Sequence, residues 1–569
     1  MKSKTFKKTR LATSLSLVLG VGVVMPAFAD DAQEQNAQKA EEKIEVISVT
    51  GIRGSLIKSM DTKRSSTGIV DAISAEDIGK FPDTNLAESL QRISGVSIDR
   101  VNGEGSKVSV RGFGPDQNLV TLNGRQMPVT TGSRSFDFAN ISADTISGVE
   151  VNKTSFASNP TGGIGSVIDV QTLKPLSAGG EKAVFSAAMV DDRSTEEGSA
   201  TPELAGLYST TFNDDKFGVL VSASYQERES GSQQANVGTG WRSFAGSVDN
   251  TSGQWGSIPV DNQVNRPGAD DVYSVPQTTI YKFEEQQRAR TNGQLVLQYA
   301  PTDTLTASVD YTYMRNDIDT QYNDVSAWYT YVPSRSVWTD GPISSPLIYS
   351  EEYATPADLS MGAGDYGVRN ESGSLGLNLE WQATDNLKLS FDAHKSDAEF
   401  KPNHALGSSN TLSTAAFIRQ SAATDFTGDI PLLAVEGGNS VRPSDMVVTG
   451  SVFGNSTNKS EIDQYQFDGE YIFENSNSSI DFGIALTNVD NHSKSVNVQR
   501  NDWGGVGQAG DFDDSYFPAG TIHDKFNGSK GDFSLMPDRD FEVLDTIFFW
   551  DFNTVRARAE ELYLSLIHI

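Results

Sequence analysis

From Gly180 onward the chain repeats one device: segments of about ten residues in which apolar and polar side chains alternate. Leu305, Ala307, Val309, Tyr311 and Tyr313 fall on one face, and Thr306, Ser308, Asp310 and Thr312 on the other. A period of two places successive side chains on opposite faces of a β-strand. The stripe recurs from Phe217 to Tyr225, Leu375 to Trp381, Leu387 to Ala393, Tyr465 to Phe473 and Ile480 to Leu486. The connections alternate as well. Short turns fall at Asn213 to Lys216, Pro301 to Thr304, Ala383 to Asn386 and Asn475 to Ser478. Long polar stretches run from Arg228 to Arg290, Asn316 to Asn370, Phe400 to Ser460 and Asp490 to Asn553. Soluble sandwiches and propellers rarely alternate turns this short with loops this long. A transmembrane antiparallel β-barrel does, with its short turns on the periplasmic side. Tyr225, Tyr299, Trp381 and Phe473 stand near strand ends, where an interfacial aromatic girdle belongs.

Composition narrows the function classes. Lys plus Arg number 45 and Asp plus Glu 75, a net charge of -30, which speaks against a nucleic-acid partner. Cysteine is absent, so no disulfide, thiolate nucleophile or Cys-ligated metal is possible. The five histidines are scattered, and no metal site or cofactor is expected from them. No Ser-His-Asp or paired-carboxylate constellation stands out, so no catalytic residues are assigned. Asp511, Asp513 and Asp514 read as an acidic loop tip rather than a Ca²⁺ loop.

Residues 1–29 read as a secretory signal peptide. Lys2, Lys4, Lys7, Lys8 and Arg10 form a basic start, Leu11 to Met25 an apolar core, and Ala27-Phe28-Ala29 a cleavage box. Residues 30–43 are polar and read as a flexible linker. Residues 44–51 form a short β-prone run, Ile44 to Gly51.

Residues 53–175 have the texture of a compact α+β domain. Asp83 or Thr84 is the expected N-cap of a helix whose face carries Leu86, Leu90 and Ile93, with Gly95 at its C′ position. Strands are expected at Lys107 to Arg111, Leu119 to Leu122, Val149 to Val151 and Val167 to Val170. Asn123-Gly124 is a tight-turn signal, and Gly162-Gly163-Ile164-Gly165 a tight backbone bend.

Five phrases stand in a fixed order here: Leu86 to Val96 (LAESLQRISGV), Val110 to Gly114 (VRGFG), Leu122 to Arg125 (LNGR), Gly148 to Val151 (GVEV) and Gly162 to Ile168 (GGIGSVI). In that order and spacing they resemble the plug of TonB-dependent outer-membrane receptors. The run Asp71 to Asp83 resembles a subfamily common in Xanthomonas-, Caulobacter- and Alteromonas-type bacteria and often associated with carbohydrate uptake. The resemblance implies an α+β plug followed by a transmembrane antiparallel β-barrel over residues 180–563. The family barrel has 22 strands, and about nine to ten are expected here. The barrel is therefore expected to be incomplete, with a tenth strand starting near Val555 to Leu562 and the native chain continuing past Leu562. Residues 564–569, Leu564 to Ile569, read like the in-frame translation of a sequencing adapter.

By the same resemblance Glu45, Val46, Ile47, Ser48, Val49 and Thr50 look like the TonB box. An extended segment of this kind adds a strand to a partner sheet, and main-chain hydrogen bonds carry the pull. The partner is TonB of the inner-membrane energy-transducing complex, and the setting is the lipid and lipopolysaccharide of a Gram-negative outer membrane. Arg111, Arg125 and Glu150 match charged plug positions of the family and are expected to make ionic contacts with the barrel, with Asp310, Glu380, Asp392 and Asp468 as lumen-facing partners. The cargo is a small nutrient. Gln117, Gln126, Thr130 and Arg134 at the plug apex, and Trp328 and Trp338 in the loops, are the expected ligand residues. Flat aromatic rings and amides suit an oligosaccharide. A ferric siderophore is the alternative cargo, and a passive porin or adhesin barrel or a secreted acidic enzyme the alternative classes.

Overall fold

The computed structural model describes residues 52–74, 85–195, 200–246, 258–474, 478–500, 503, 506–526 and 533–564. The signal sequence, the linker, the Glu45–Thr50 run and Asp83 and Thr84 lie outside the described residues.

The first region opens with helix α1 (Ile52–Ser65), which the sequence reading did not anticipate. Strand β1 (Val70–Ser74) follows, then helix α2 (Leu86–Leu90). The α2 N-cap is Asn85, whose side chain accepts from the Ala87 amide. Gly95 takes φ +76°, the left-handed conformation that a C′ glycine supplies. The hairpin β2 (Val96–Val101) and β3 (Glu104–Val110) stands beside a five-stranded sheet of β1, β4 (Asn118–Leu122), β5 (Arg125–Gln126), β6 (Ile146–Asn152) and β7 (Ser166–Thr172). Its order is β1-β6-β7-β4-β5, with only the β4–β7 pair parallel. Leu86, Leu90, Val108, Val110, Val149, Val151, Ile168 and Val170 form one core with Phe138. The expected strand over 107–111 ends one residue early, because Arg111 (φ +52°) and Gly112 (φ +80°) form the turn that returns Phe113 to Val110.

The second region is an antiparallel meander of nine strands: β8 (Lys182–Asp191), β9 (Ala200–Phe212), β10 (Phe217–Asn236), β11 (Thr278–Thr302), β12 (Leu305–Trp328), β13 (Pro346–Thr384), β14 (Leu387–Pro402), β15 (Ser451–Ile472) and β16 (Ser479–Arg500). Each pairs with the next in the chain. The first three short turns fall where the sequence places them; Asn475 to Asn477 of the fourth lie outside the described residues. Asn213, Asp214 and Asp215 all take positive φ in the first. Among the described residues, neither β8 nor β16 has a partner strand on its outer side.

The long stretches read as loops are partly strand. β11 runs for 25 residues and β13 for 39, where about ten cross a bilayer. The strands rise far above the apolar band, where lipid no longer sets the outward side chains and the simple alternation signal disappears. The strand Ser409–Asp425 pairs with the upper part of β13 and the start of β15, filling the height that β14 does not reach.

One face of β12 changes neighbours with height. Val309 is 42% exposed, while Val325, on the same face, is fully buried. Loop residues cover the upper part: Phe283 packs on Phe526 and Phe549, and Asn323 donates to the Trp550 carbonyl at 3.0 Å. The strand expected near Val555 to Leu562 is helix α3 (Phe552–Ala559). Asp551 caps it, Arg556–Glu560 and Arg558–Glu561 pair along it, and Val555 and Ala559 are buried in the loop core.

Candidate functional site between plug and barrel wall

Even-numbered residues of β12 face the plug. Ser308, Asp310 and Thr312 are buried there, while Tyr311 is exposed on the opposite face. The interface therefore comprises the inward half of each strand and whatever the plug presents to it.

The first anchor is Arg125. The Asn123–Gly124 turn places it, with φ +54° and +80°. Asp169 holds that turn by accepting from Thr121 Oγ1 at 2.6 Å and from the Gly124 amide at 2.7 Å. Burial nonetheless pushes the Asp169 carboxyl above its usual range. Arg125, 5% exposed, donates to both Asp310 oxygens at 2.7 Å and to Asp392 at 2.8 and 2.9 Å. Burial alone would lower the guanidinium pKa; the two carboxylates outweigh it and raise it. Gly376 makes room, since a Cβ there would collide with the guanidinium.

The second anchor reverses the signs. Glu104 of β3, 6% exposed, meets Arg288, Arg290 at 3.7 Å and Arg228 at 3.9 Å on the wall, and accepts from Asn85 Nδ2 at 2.9 Å. Arg290 also donates to the Ala139 carbonyl at 2.9 Å, Asn292 to the Asn140 carbonyl at 3.1 Å, and Asn316 to Asn140 Oδ1 at 3.0 Å. A third, more exposed contact joins Lys174 to Glu380 at 3.3 Å. Within the plug, Asp71 of the edge strand β1 lies between Lys63 and Lys153, 2.6 Å from each.

An open cleft, about 390 Å³ with the solvent at its mouth included, lies between the loop after β5 and the wall. Thr130, Thr131, Ser135, Ser372, Asn140, Asn370 and Asp137 supply its polar groups, and Pro128, Phe136 and Met314 its apolar ones. Burial raises the pKa of Asp137 against the hydrogen bonds from the Ala139 amide and Ser106. A second cleft of about 350 Å³ lies beside Arg125, lined by Asn123, Lys174, Asn378, Asp310 and Asp392.

Residues 62–167 match the family model described as the TonB-dependent receptor plug domain. This chain carries a TonB-dependent receptor plug domain. Receptors of this family reside in the outer membrane, take part in the transport of small ligands and interact with TonB. No curated protein matches the chain. Among solved structures it is similar to the siderophore receptor PirA from Acinetobacter baumannii, at 11% identity, TM-score 0.25, 76% of this chain and 78% of that one. It is also similar to the ferric citrate transporter FecA in its unliganded form, at 12%, 0.27, 79% and 76%. The siderophore receptor PiuA from A. baumannii follows at 12%, 0.24, 74% and 71%. The assignment rests on the plug.

In this chain the residues singled out from sequence take different places. Arg125 reaches the wall. Arg111 does not: it donates to the Lys153 carbonyl at 3.1 Å, inside the plug, because the turn at 111–112 directs it across the end of β6. Glu150 makes no ion pair among the described residues; it stands between Ala72 and Asp169 in the plug sheet. Thr130 lines the larger cleft, its carbonyl accepting from Asn458 at 3.0 Å, and the Gln126 amide faces Gln464. Arg134 instead donates to the Gly162 carbonyl, and Gln117 holds the Gly165 amide, so these two lie together at the glycine bend. Trp328 is 47% exposed at the end of β12. Trp338 is fully buried, its indole donating to Gln263, so it packs loops rather than meeting a ligand. The Glu104 anchor went unrecognised in sequence, although Arg228, Arg288 and Arg290 are three arginines at inward parity on neighbouring strands.

Proposed function

We propose that this receptor imports an oligosaccharide across the outer membrane, with TonB pulling on Glu45, Val46, Ile47, Ser48, Val49 and Thr50 to displace the plug. The observation that carries the cargo class is the composition of the larger cleft. Hydroxyls and amides from plug and wall converge beside Phe136 and Met314. Sugar hydroxyls take amides and carboxylates, and pyranose faces take apolar surface. Exposed Leu295, Leu297, Val309, Tyr311, Leu375 and Leu377 form the outer face that we assign to membrane lipid, with lipopolysaccharide beyond it. The ionic anchors suit a plug that must seat firmly and still leave, because each is a discrete polar contact.

The test is calorimetry on the full-length receptor with a panel of neutral oligosaccharides and ferric siderophores. Saturable oligosaccharide binding weakened by Asn370→Ala is expected. Binding of a ferric siderophore alone would sink the cargo reading. Deletion of Glu45 to Thr50 should abolish uptake, and uptake that survives it makes the protein a passive barrel.

A further inference from the structure

The charges on the inner wall are segregated. Near the short-turn ends of four successive strands, the inward side chains include Asp310 on β12, Glu380 on β13, Asp392 on β14 and Asp468 on β15. At the same height β10 and β11 present Leu220, Ser222, Val296 and Gln298, none of them charged. The described wall carries two cations here: Lys388, 3.4 Å from Glu380, and Lys182 of β8, which registers with Ser209 and through it with Leu220. The other positive charges come from the plug: Arg125 on Asp310 and Asp392, and Lys174 on Glu380. Asp468 forms no ion pair among the described residues. Farther from the turns the wall is basic instead, with Arg228, Arg288 and Arg290 around Glu104 of the plug.

We infer that the periplasmic mouth of the open lumen is cation-selective, so that the receptor passes neutral or cationic cargo and holds back anionic cargo. The inference rests on the plug displacement proposed above. When the plug leaves, Arg125 and Lys174 leave with it. Asp310, Glu380, Asp392, Asp468 and Glu470 then face the opening, with Lys388 and Lys182 among them. Hydrated carboxylates stay ionised at neutral pH. Arcs of predominantly like charge in a pore select by sign, and such an arc on a low-dielectric wall changes local ion concentration by roughly tenfold or more. The resting plug masks this field, so the arc acts on cargo in transit and leaves ligand capture from outside unaffected.

The test uses the full-length receptor in a planar bilayer under a KCl gradient, with urea on the periplasmic side to loosen the plug. The expected reversal potential corresponds to about a tenfold preference for K⁺ over Cl⁻. Asp468→Lys, at a position with no hydrogen bond or ion pair to the plug among the described residues, should at least halve it. A ratio near one, a ratio unmoved by Asp468→Lys, or a plug that becomes protease-sensitive with no conducting path would each overturn the inference. The reading needs neither TonB nor an identified cargo. Its failure is therefore distinct from surviving uptake after deletion of Glu45 to Thr50, which would overturn TonB dependence alone.

Discussion

Arg125 of the plug and Asp392 of the barrel wall form a two-pronged ion pair, Nε to Oδ1 at 2.8 Å and the second fork nitrogen to Oδ2 at 2.9 Å. Asp310 occupies the third guanidinium nitrogen, so one plug side chain satisfies a buried and a largely buried wall carboxylate. Removing one member of such a set leaves uncompensated buried charge, at about 3–5 kcal/mol. Arg125→Ala should therefore loosen the plug seat, read as faster proteolysis of residues 62–167 in the purified receptor. Arg125→Lys should recover part of the loss, since it keeps the charge and gives up the fork. Unchanged proteolysis in Arg125→Ala would show that the seat is held elsewhere.

Asp71 yields a pH prediction. Burial acts to raise its pKa, but Lys153 and Lys63 outweigh burial and hold the carboxyl below its ordinary value of 3.8. A carboxyl lowered on folding stabilises the fold above its unfolded pKa, and the contribution is lost as pH falls through the folded value. The attachment of β1 should therefore hold at neutral pH and weaken below about pH 4. Hydrogen exchange of residues 70–74 measures it. Asp71→Asn should exchange faster at neutral pH and lose the acid dependence.

The plug core and the lower barrel were legible because a single local rule governs each. Leu86 and Leu90 repeat at helical spacing, and Val309 and Asp310 alternate between lipid and lumen. Above the lipid band that rule fails. Val325 keeps the parity of Val309 yet is covered by loop residues, and nothing in a ten-residue window reports what packs on a strand from two hundred positions away. α3 was misread for a related reason. Val555 and Ala559 suit a strand stripe as well as a helix face, and the Asp551 cap and the Arg–Glu pairs decide between them. Among the charged plug positions, only geometry separates Arg125, which reaches Asp310, from Arg111, which the turn at Gly112 carries back into the plug.

The glycine bend offers a test of the plug's own packing. A Cβ on Gly163 would collide with the Ser166 carbonyl and sit 2.9 Å from Val167 Cγ2. The oxygen belongs to backbone at the start of β7, in the middle of the plug sheet, and cannot rotate away. Gly163→Ala should cost about 1–3 kcal/mol, seen as a lower melting temperature of the plug transition. The bend also carries the contacts of Gln117 and Arg134, so exchange at the Gly165 amide should rise in the same variant.

Trp328 and Trp338 lie ten residues apart and should behave oppositely. Trp338 is buried among Tyr273 and other loop residues, with its indole bonded to Gln263 at 3.0 Å. Trp338→Ala should destabilise the loop core by about 3–5 kcal/mol, detected as faster hydrogen exchange in residues 258–276 and 335–349. Trp328 is half exposed, and its strand pairs with Thr278 through the backbone, which truncation leaves intact. Trp328→Ala should shift stability by no more than about 0.5 kcal/mol. If the ring stacks on cargo, the same change should weaken oligosaccharide binding by about 1 kcal/mol. A stability loss as large as that of Trp338→Ala would place Trp328 in the loop core instead, while unchanged stability and unchanged binding would remove it from the ligand surface.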